Sequence, residues 1–237
     1  MRYIIHSAPP RQWYVEEFLI PSMLAQGIPE SDILVRCDTE GKGNLQSCME
    51  SFQWCGENQT NGTWHLQDDV ILCRNFAQRT REYNFGVVCG CVIKDWGPDY
   101  TKVMNQPVKQ MWYSFQCMRI PDKIAGECAE WFFNVASKSD DYEYIKRIRR
   151  KKHDDDFFRF FLFEKYPQMD VINLKPNLVD HIDYVIGGSL INANREKDIN
   201  RACWFEDQDL VEKLELKIEQ IRKEKKREHF QTDPDRK

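Results

Sequence analysis

The sequence predicts an α/β protein, a layered sheet with helices on both faces and one more helix at the C-terminal end. Two observations predict it. In the first half, short apolar runs alternate with stretches of helical periodicity in the order β-α-β-α-β-α-β. The composition, 41% hydrophobic and 13% aromatic over 237 residues, suffices for one sizeable buried core.

Residues 3–5 read as a short buried strand closed by Pro9 and Pro10. A helix is expected over 13–26, with Phe18 and Leu19 on its apolar side, Gly27 as its stop and Pro21 as a kink or interruption. A second strand, 33–37, ends at Asp38. Beyond a loop holding Gly41 and Gly43, Leu45, Cys48, Met49 and Phe52 recur at i, i+3, i+4 and i+7, one face of a helix. Residues 64–72 read as one strand carrying His65, Asp68 and Asp69. A helix over 75–82 and a strand over 86–93 follow.

The second half is less regular. Residues 95–110, with Pro98 and Pro107, are expected to be loop, 111–120 strand and 125–136 an aromatic-rich helix. Asp154, Asp155 and Asp156 precede a helix over 157–165, whose five phenylalanines mark it as mostly buried. Residues 185–191 surround Gly187-Gly188-Ser189. A charged helix over 210–228 carries a narrow stripe of Leu210, Leu214, Ile218 and Ile221, and 229–237 read as a frayed tail. The organisation expected is a domain over 1–208 followed by a helix and tail over 209–237. The stripe should dock on that domain or pair weakly with a second subunit.

A formal charge of −4 does not point to nucleic acid or membrane as a partner. No segment approaches the roughly 20 apolar residues of a membrane helix, and Met1 to His6 turns polar too soon for a signal peptide. The nine cysteines are scattered without a Cys-x-x-Cys pair, as small buried hydrophobes are in a reducing compartment. Cys89 and Cys91 read as same-face strand thiols, since no second ligand pair is spaced to complete a zinc site. Asn58-Gln59-Thr60 and Asn61-Gly62-Thr63 match glycosylation sequons and read as the turn of a loop.

The sharpest chemical feature is Trp64-His-Leu-Gln-Asp-Asp-Val-Ile-Leu72, where two adjacent carboxylates break an apolar run. A buried carboxylate wants a counter-charge or a strand's exposed end, and strand carboxyl ends are where open α/β sheets bind ligands. Such hard oxygen ligands suit Mg²⁺ or Mn²⁺; equally, the pair caps the next turn. His181, in Lys175-Pro-Asn-Leu-Val-Asp-His-Ile182, reads by itself as a hydrogen-bonded core residue. The three aspartates 154–156 read as a helix N-terminal cap or as the source of a general base. The basic run Lys146 to His153 reads as a solvated face or as a phosphate-tracking patch for a nucleic-acid acceptor.

Taken in order, these segments resemble the GT-A glycosyltransferases, especially small bacterial and bacteriophage-encoded members and the lipopolysaccharide-type enzymes. The resemblance runs over residues 1–192. It rests on Gln67-Asp68-Asp69-Val70-Ile71-Leu72 with Phe76 downstream, on the acidic opening of a helix at 154–156, and on Pro176-Asn-Leu-Val-Asp-His181 followed by small residues. Gln67 departs from the pattern, which usually has an acidic residue there. The resemblance implies a Rossmann-like sheet acting on a nucleotide-sugar donor, UDP-sugar favoured, with Mn²⁺ or Mg²⁺ and a hydroxyl-bearing acceptor. The acceptor classes are modified phage DNA, a glycan or a protein, and the compartment is the cytoplasm of a bacterium or a phage-infected host.

By the same resemblance, Asp69 and His181 would ligate the ion and Asp68 would touch the donor ribose or sugar. Asp38 would hold the nucleoside, with Ser7, Pro9 and Arg11 beside the base and Asn44 within reach of the nucleotide. Asp155 would be the general base of an inverting displacement. Two rivals stand beside this reading. One is a nucleotidyltransferase on a related sheet, whose acidic pair would hold Mg²⁺ for phosphoryl chemistry; the other is a non-catalytic assembly protein working through its C-terminal helix.

Overall fold

In the computed structural model, which describes residues 1–92, 104–107, 114–136, 154–186 and 207–232, seven strands form one twisted sheet. They are β1 (Arg2–Ser7), β2 (Ile33–Cys37), β3 (Thr63–Gln67), β5 (Val87–Cys89), β6 (Met104–Pro107), β7 (Cys117–Ile120) and β8 (Asp170–Asn173), in the order β2-β1-β3-β7-β5-β8-β6. β1 pairs parallel with both β2 and β3, and β5 with β8; β7 and β6 run antiparallel to their neighbours. A separate ladder joins β4 (Val70–Leu72) to β9 (Val179–His181).

Side-chain alternation along the strands builds a core on each face. Ile4 faces a cluster with Leu45, Cys48, Met49 and Phe52 of α2 (Asn44–Asn58), α4 (Asp122–Trp131) and α5 (Asp154–Lys165). Tyr3 and Ile5 face the opposite cluster with α1 (9–25), α3 (Phe76–Glu82) and α6 (Gln208–Thr232). The α/β sandwich with helices on both faces is therefore as the pattern predicts. On the first face, α2 and α4 cross closely: a Cβ placed on Gly56 would lie 2.7 Å from Gly126 Cα, so a larger residue at either position would push the helices apart.

Several boundaries differ from the pattern. The run 64–72 is not one strand. It breaks at Asp68-Asp69, and the chain leaves the main sheet for the β4–β9 ladder, because both carboxylates turn to partners outside the strand. The strand expected over 86–93 stops at Cys89. Past it, the Asn177 side chain replaces the ladder, accepting from Val92 N–H at 3.0 Å and donating to Val92 O at 2.9 Å. Cys89 and Cys91 consequently pack in opposite cores rather than on one face. Residues 104–107 are strand, not loop; Pro107 is tolerated there because β6 is the sheet's outer strand. The three aspartates lie inside the first turn of α5 rather than before it.

The interruption expected at Pro21 takes the form of a π-type turn, Val15–Leu19, in which Ile20 N–H bonds back to Val15 O. The helix then continues through Pro21 to Ala25. The C-terminal helix docks on the domain: Val211 and Ile218 are buried in the second core, and Leu210 and Leu214 pack against it. Asp207 accepts from Arg74 N–H at 2.9 Å, and Lys217 sits 5.1 Å over the Phe18 ring. Among the described residues no helix is long and apolar enough to cross a membrane, and eight cysteines are free thiols. The basic run 146–153, Gly187 to Ser189 and Cys203 lie outside the described residues.

Candidate functional site

Parallel pairing brings the carboxyl ends of β1 and β3 side by side, so Ser7 and Gln67 finish next to each other. The chain leaves β1 through Ala8 into a 3-10 turn, Pro9–Arg11, and leaves β3 through Asp68-Asp69. Ala8 N–H donates to Asp68 Oδ2 at 2.8 Å, and Arg11 Nη1 donates to Asp68 Oδ1 at 3.0 Å. The same Nη1 also donates to Asp69 Oδ2. One buried guanidinium thus bridges the two carboxylates and supplies the counter-charge their burial demands.

The β4–β9 ladder supplies the fourth member. Its register sets Val70 opposite His181, and Ile182 N–H closes on Asp69 O at 2.8 Å, so the His181 ring lies beside the Asp69 side chain. His181 Nε2 is 3.1 Å from Asp69 Oδ2, and Asp183 Oδ1 is 3.9 Å from Nδ1. Tyr14 fixes the corner from below by donating to Val70 O at 2.8 Å.

The electrostatics follow from these contacts. Burial favours a neutral Asp69, but the His181 and Arg11 charges and hydrogen bonds outweigh it and hold the carboxyl well below the usual range. Burial likewise opposes a charged His181, and Asp69, aided by Asp183, lifts its pKa above the ordinary value. Asp68, raised by burial and by the Asp69 charge, holds its own charge less firmly despite Arg11 and Ala8. Within the pair, Asp69 is the firm anion.

The residues meet some requirements of a hard divalent cation. Asp69 Oδ1 is buried without a hydrogen-bond partner, an open acceptor on a firm anion. His181 Nε2 and Asp69 Oδ2, 3.1 Å apart, are hydrogen-bonded to each other, so a cation held by both would take the place of that proton. Among the described residues no group of three or more His, Cys, Asp or Glu is arranged to hold a metal. Asp69 and His181 are the two side chains among the described residues that this corner would offer an ion, other positions falling to a ligand's oxygens and water.

No family model matches the chain. No curated protein matches it in sequence either. Among solved structures it is similar to a putative glucose-1-phosphate thymidylyltransferase from Bacillus anthracis, solved in complex with a sucrose. The identity is 10%, with 76% of this chain and 89% of that chain covered and a TM-score of 0.37. A likeness this slight does not bear on function.

Of the other residues singled out in the sequence, Ser7 and Asp38 lie next to this corner, at the ends of β1 and β2. Ser7 is buried at the end of β1; its backbone carbonyl accepts Asp38 N–H at 2.9 Å. The Asp38 carboxylate accepts Lys42 N–H at 2.8 Å and Gly43 N–H at 2.7 Å, fixing the loop that leads into α2. A cleft lined by Arg36, Cys37, Asp38, Lys42, Ser47 and Ser51 opens at this end of β2. Asn44, the first residue of α2, hydrogen-bonds to Asp154, tying the head of α2 to that of α5. Burial and the Asp155 charge push the Asp154 carboxyl up to about 7. Asp155 itself is half-buried, and its Oδ1 accepts Asp156 N–H at 2.8 Å.

Four residues take places that the sequence alone did not assign to them. Ala8 contributes only backbone, which no pattern marks. His6 and His65 form a buried stacked pair, Nε2 to Nδ1 at 3.0 Å; burial drives His6 down to about 4 and His65 well below its usual value, so both are neutral. Their alternating place beside apolar strand neighbours gives them the pattern of core residues. Asp154 stood in plain view beside Asp155, but only the tertiary contact with Asn44 separates the two.

Proposed function

We propose that this chain is an enzyme of nucleotide-activated sugars, and that it transfers the sugar from the donor to a hydroxyl group. One observation carries the reading: a firm buried anion, Asp69, whose Oδ1 lacks a hydrogen-bond partner and whose Oδ2 has an imidazole at 3.1 Å, at the joined carboxyl ends of two parallel strands. That is where a sheet of this class takes a ligand, and Asp69 and His181 are chemically suited to hold Mn²⁺ or Mg²⁺. The chemistry such an ion supplies is charge neutralisation on the leaving diphosphate. Asp69 and His181 bind; Asp68 holds Arg11 and the Ala8 turn in place. His181 must be neutral at Nε2 to act as a ligand, so donor binding should strengthen as pH rises through its elevated pKa. Asp155, on the first turn of α5, is proposed to take the acceptor hydroxyl's proton.

Nucleotidyl transfer is the second reading, and the acidic pair suits it as well, because paired carboxylates also hold Mg²⁺ for phosphoryl chemistry. The loop after β1 offers few backbone donors to the phosphates of either donor. A triphosphate cradle needs a row of free backbone N–H groups at a helix start. Here Pro9 and Pro10 have none, and the Ala8 N–H is spent on Asp68. The protein should be heated with a panel of nucleotide sugars and nucleoside triphosphates, with and without Mn²⁺, and the products of the stabilising ligand analysed. A ligand at about 100 times its Kd adds about 2.7 kcal/mol. Mn²⁺-dependent stabilisation by a nucleotide sugar and slow release of nucleoside diphosphate are expected. Release of pyrophosphate from a triphosphate with a sugar phosphate would establish the second reading. No stabilisation by any of these would leave a binding or assembly role.

A further inference from the structure

The contact that sets this corner apart is Arg11. A divalent ion at Asp69 and His181 must take a position that the guanidinium now helps to neutralise, since Arg11 Nη1 donates to the very carboxylate oxygen that His181 approaches. We infer that Arg11 is a resident cation which makes the site accept a divalent metal only together with a diphosphate, and that it then passes from Asp69 to the diphosphate oxygens. This inference rests on the nucleotide-sugar reading above.

Charge and geometry point the same way. With His181 neutral, as a ligand must be, Asp68, Asp69 and Arg11 leave one net negative charge where all four side chains are buried; Asp183, 3.9 Å from His181, stands part-exposed at the rim. Adding a dication alone leaves an excess of buried positive charge, which is costly in a low-dielectric site. A diphosphate arriving with the ion removes that excess and offers oxygens to both cations. With two side-chain ligands in reach among the described residues, the ion also draws on those oxygens to fill its coordination shell. Arg11 is suited to the exchange: its planar donors fit a phosphate as readily as a carboxylate. It sits on the short Pro9–Arg11 turn beside Ala8, and the move asked of it is a rotation of its side chain. Asp68, which accepts from both Ala8 and Arg11, keeps the arginine at the site after it leaves Asp69.

The test is Mn²⁺ binding followed by electron paramagnetic resonance, with and without UDP, in the wild type, Arg11→Gln and Arg11→Lys. In the wild type, Mn²⁺ alone should bind weakly, and UDP should raise its affinity by about tenfold or more, within the usual range of coupling between two ligands. Arg11→Gln should bind Mn²⁺ alone more tightly than the wild type and lose most of the UDP coupling. Arg11→Lys keeps the charge, so Mn²⁺ alone should stay weak while the coupling falls.

Removing the guanidinium leaves Asp68 without a cation and Asp69 with His181 alone, so Arg11→Gln should melt early without metal and be rescued by Mn²⁺ alone. An arginine that merely holds the fold would give no such rescue. Arg11→Gln that binds Mn²⁺ no better than the wild type, or keeps full UDP coupling, overturns the inference. If the wild type binds neither Mn²⁺ nor UDP, the nucleotide-sugar reading itself fails. If it binds both without coupling, only the role of Arg11 does.

Discussion

Two groups of aspartates sit in this molecule, and they differ in what was placed beside them. At the corner between β3 and β4, Asp68 and Asp69 are buried against Arg11 and His181, and Asp69 is held as a firm anion. At the head of α5, Asp154 is equally buried, but its neighbours are Asn44 and a second carboxylate, and its pKa climbs to about 7. Burial penalises the charge at both places; at the first a cation outweighs it, at the second a like charge adds to it. One residue type is thus prepared for opposite duties, a permanent anion that holds cations and a carboxyl that keeps its proton near neutrality. Pairs of carboxyls with pKa values pushed apart divide the labour in this way.

The comparison breaks most visibly at the firm anion. Asp69→Ala and His181→Ala should each abolish metal-dependent donor binding, a loss of at least about 100-fold, since each removes one of the two side chains proposed to hold the ion. Calorimetry with Mn²⁺ and a nucleoside diphosphate measures it, with circular dichroism to confirm that the variants remain folded. Wild-type affinity in both would mean that the corner is an ion-pair cap and nothing more.

At the head of α5 the expected effect is smaller and of another kind. Asp155→Asn should lower turnover by about 10²- to 10⁴-fold, the usual scale for a general base, with donor affinity nearly unchanged. Initial rates alongside donor titrations separate the two. Activity lost in Asp154→Asn instead would move the base by one residue. Full activity in both single variants and in Asp156→Asn would leave the three aspartates as the first turn of a helix, there for its dipole.

How much of this was legible in the sequence depends on whether a feature is local. The break in the apolar run at Asp68-Asp69 is local, and so are the helical face of Leu45 to Phe52 and the phenylalanine-rich helix; all three lie where the pattern puts them. The change of sheet at Asp69 is not local, because it depends on the ladder that β9 forms with Val70 to Leu72. That ladder also brings His181 to Asp69, a meeting only a family resemblance anticipated. Arg11 was expected beside a base, and nothing in Pro9-Pro10-Arg11 shows that the side chain folds back onto the carboxylates; that follows from the parallel register of β1 and β3. Strand β6 escaped because Pro107 argues against a strand unless it is known to lie at the edge.

The smallest effect sharpens the comparison through stability alone. Asp154 has a folded-state pKa of about 7 against an ordinary value of 3.8. Below pH 4 it is protonated in both states and contributes no pH dependence. Between about pH 4 and 7 the unfolded chain gives up this proton while the folded chain keeps it, so the folded state binds more protons and stability falls as pH rises. Above about 7 both states have lost it and the decline levels off. Asparagine cannot ionise, and its amide retains a hydrogen-bonding group toward Asn44. Asp154→Asn should therefore match the wild type near pH 4 and exceed it near pH 8, by at most about 4 kcal/mol. Asp69→Asn should behave in the reverse sense: its folded pKa is depressed, so the wild type draws stability from that charge above its unfolded pKa, and the variant should be the weaker at pH 8. Urea unfolding of the three proteins at pH 4, 6 and 8 measures both slopes. If Asp154→Asn is the less stable at pH 8, a cation stands beside that carboxylate, and the contrast between the two aspartate groups is gone.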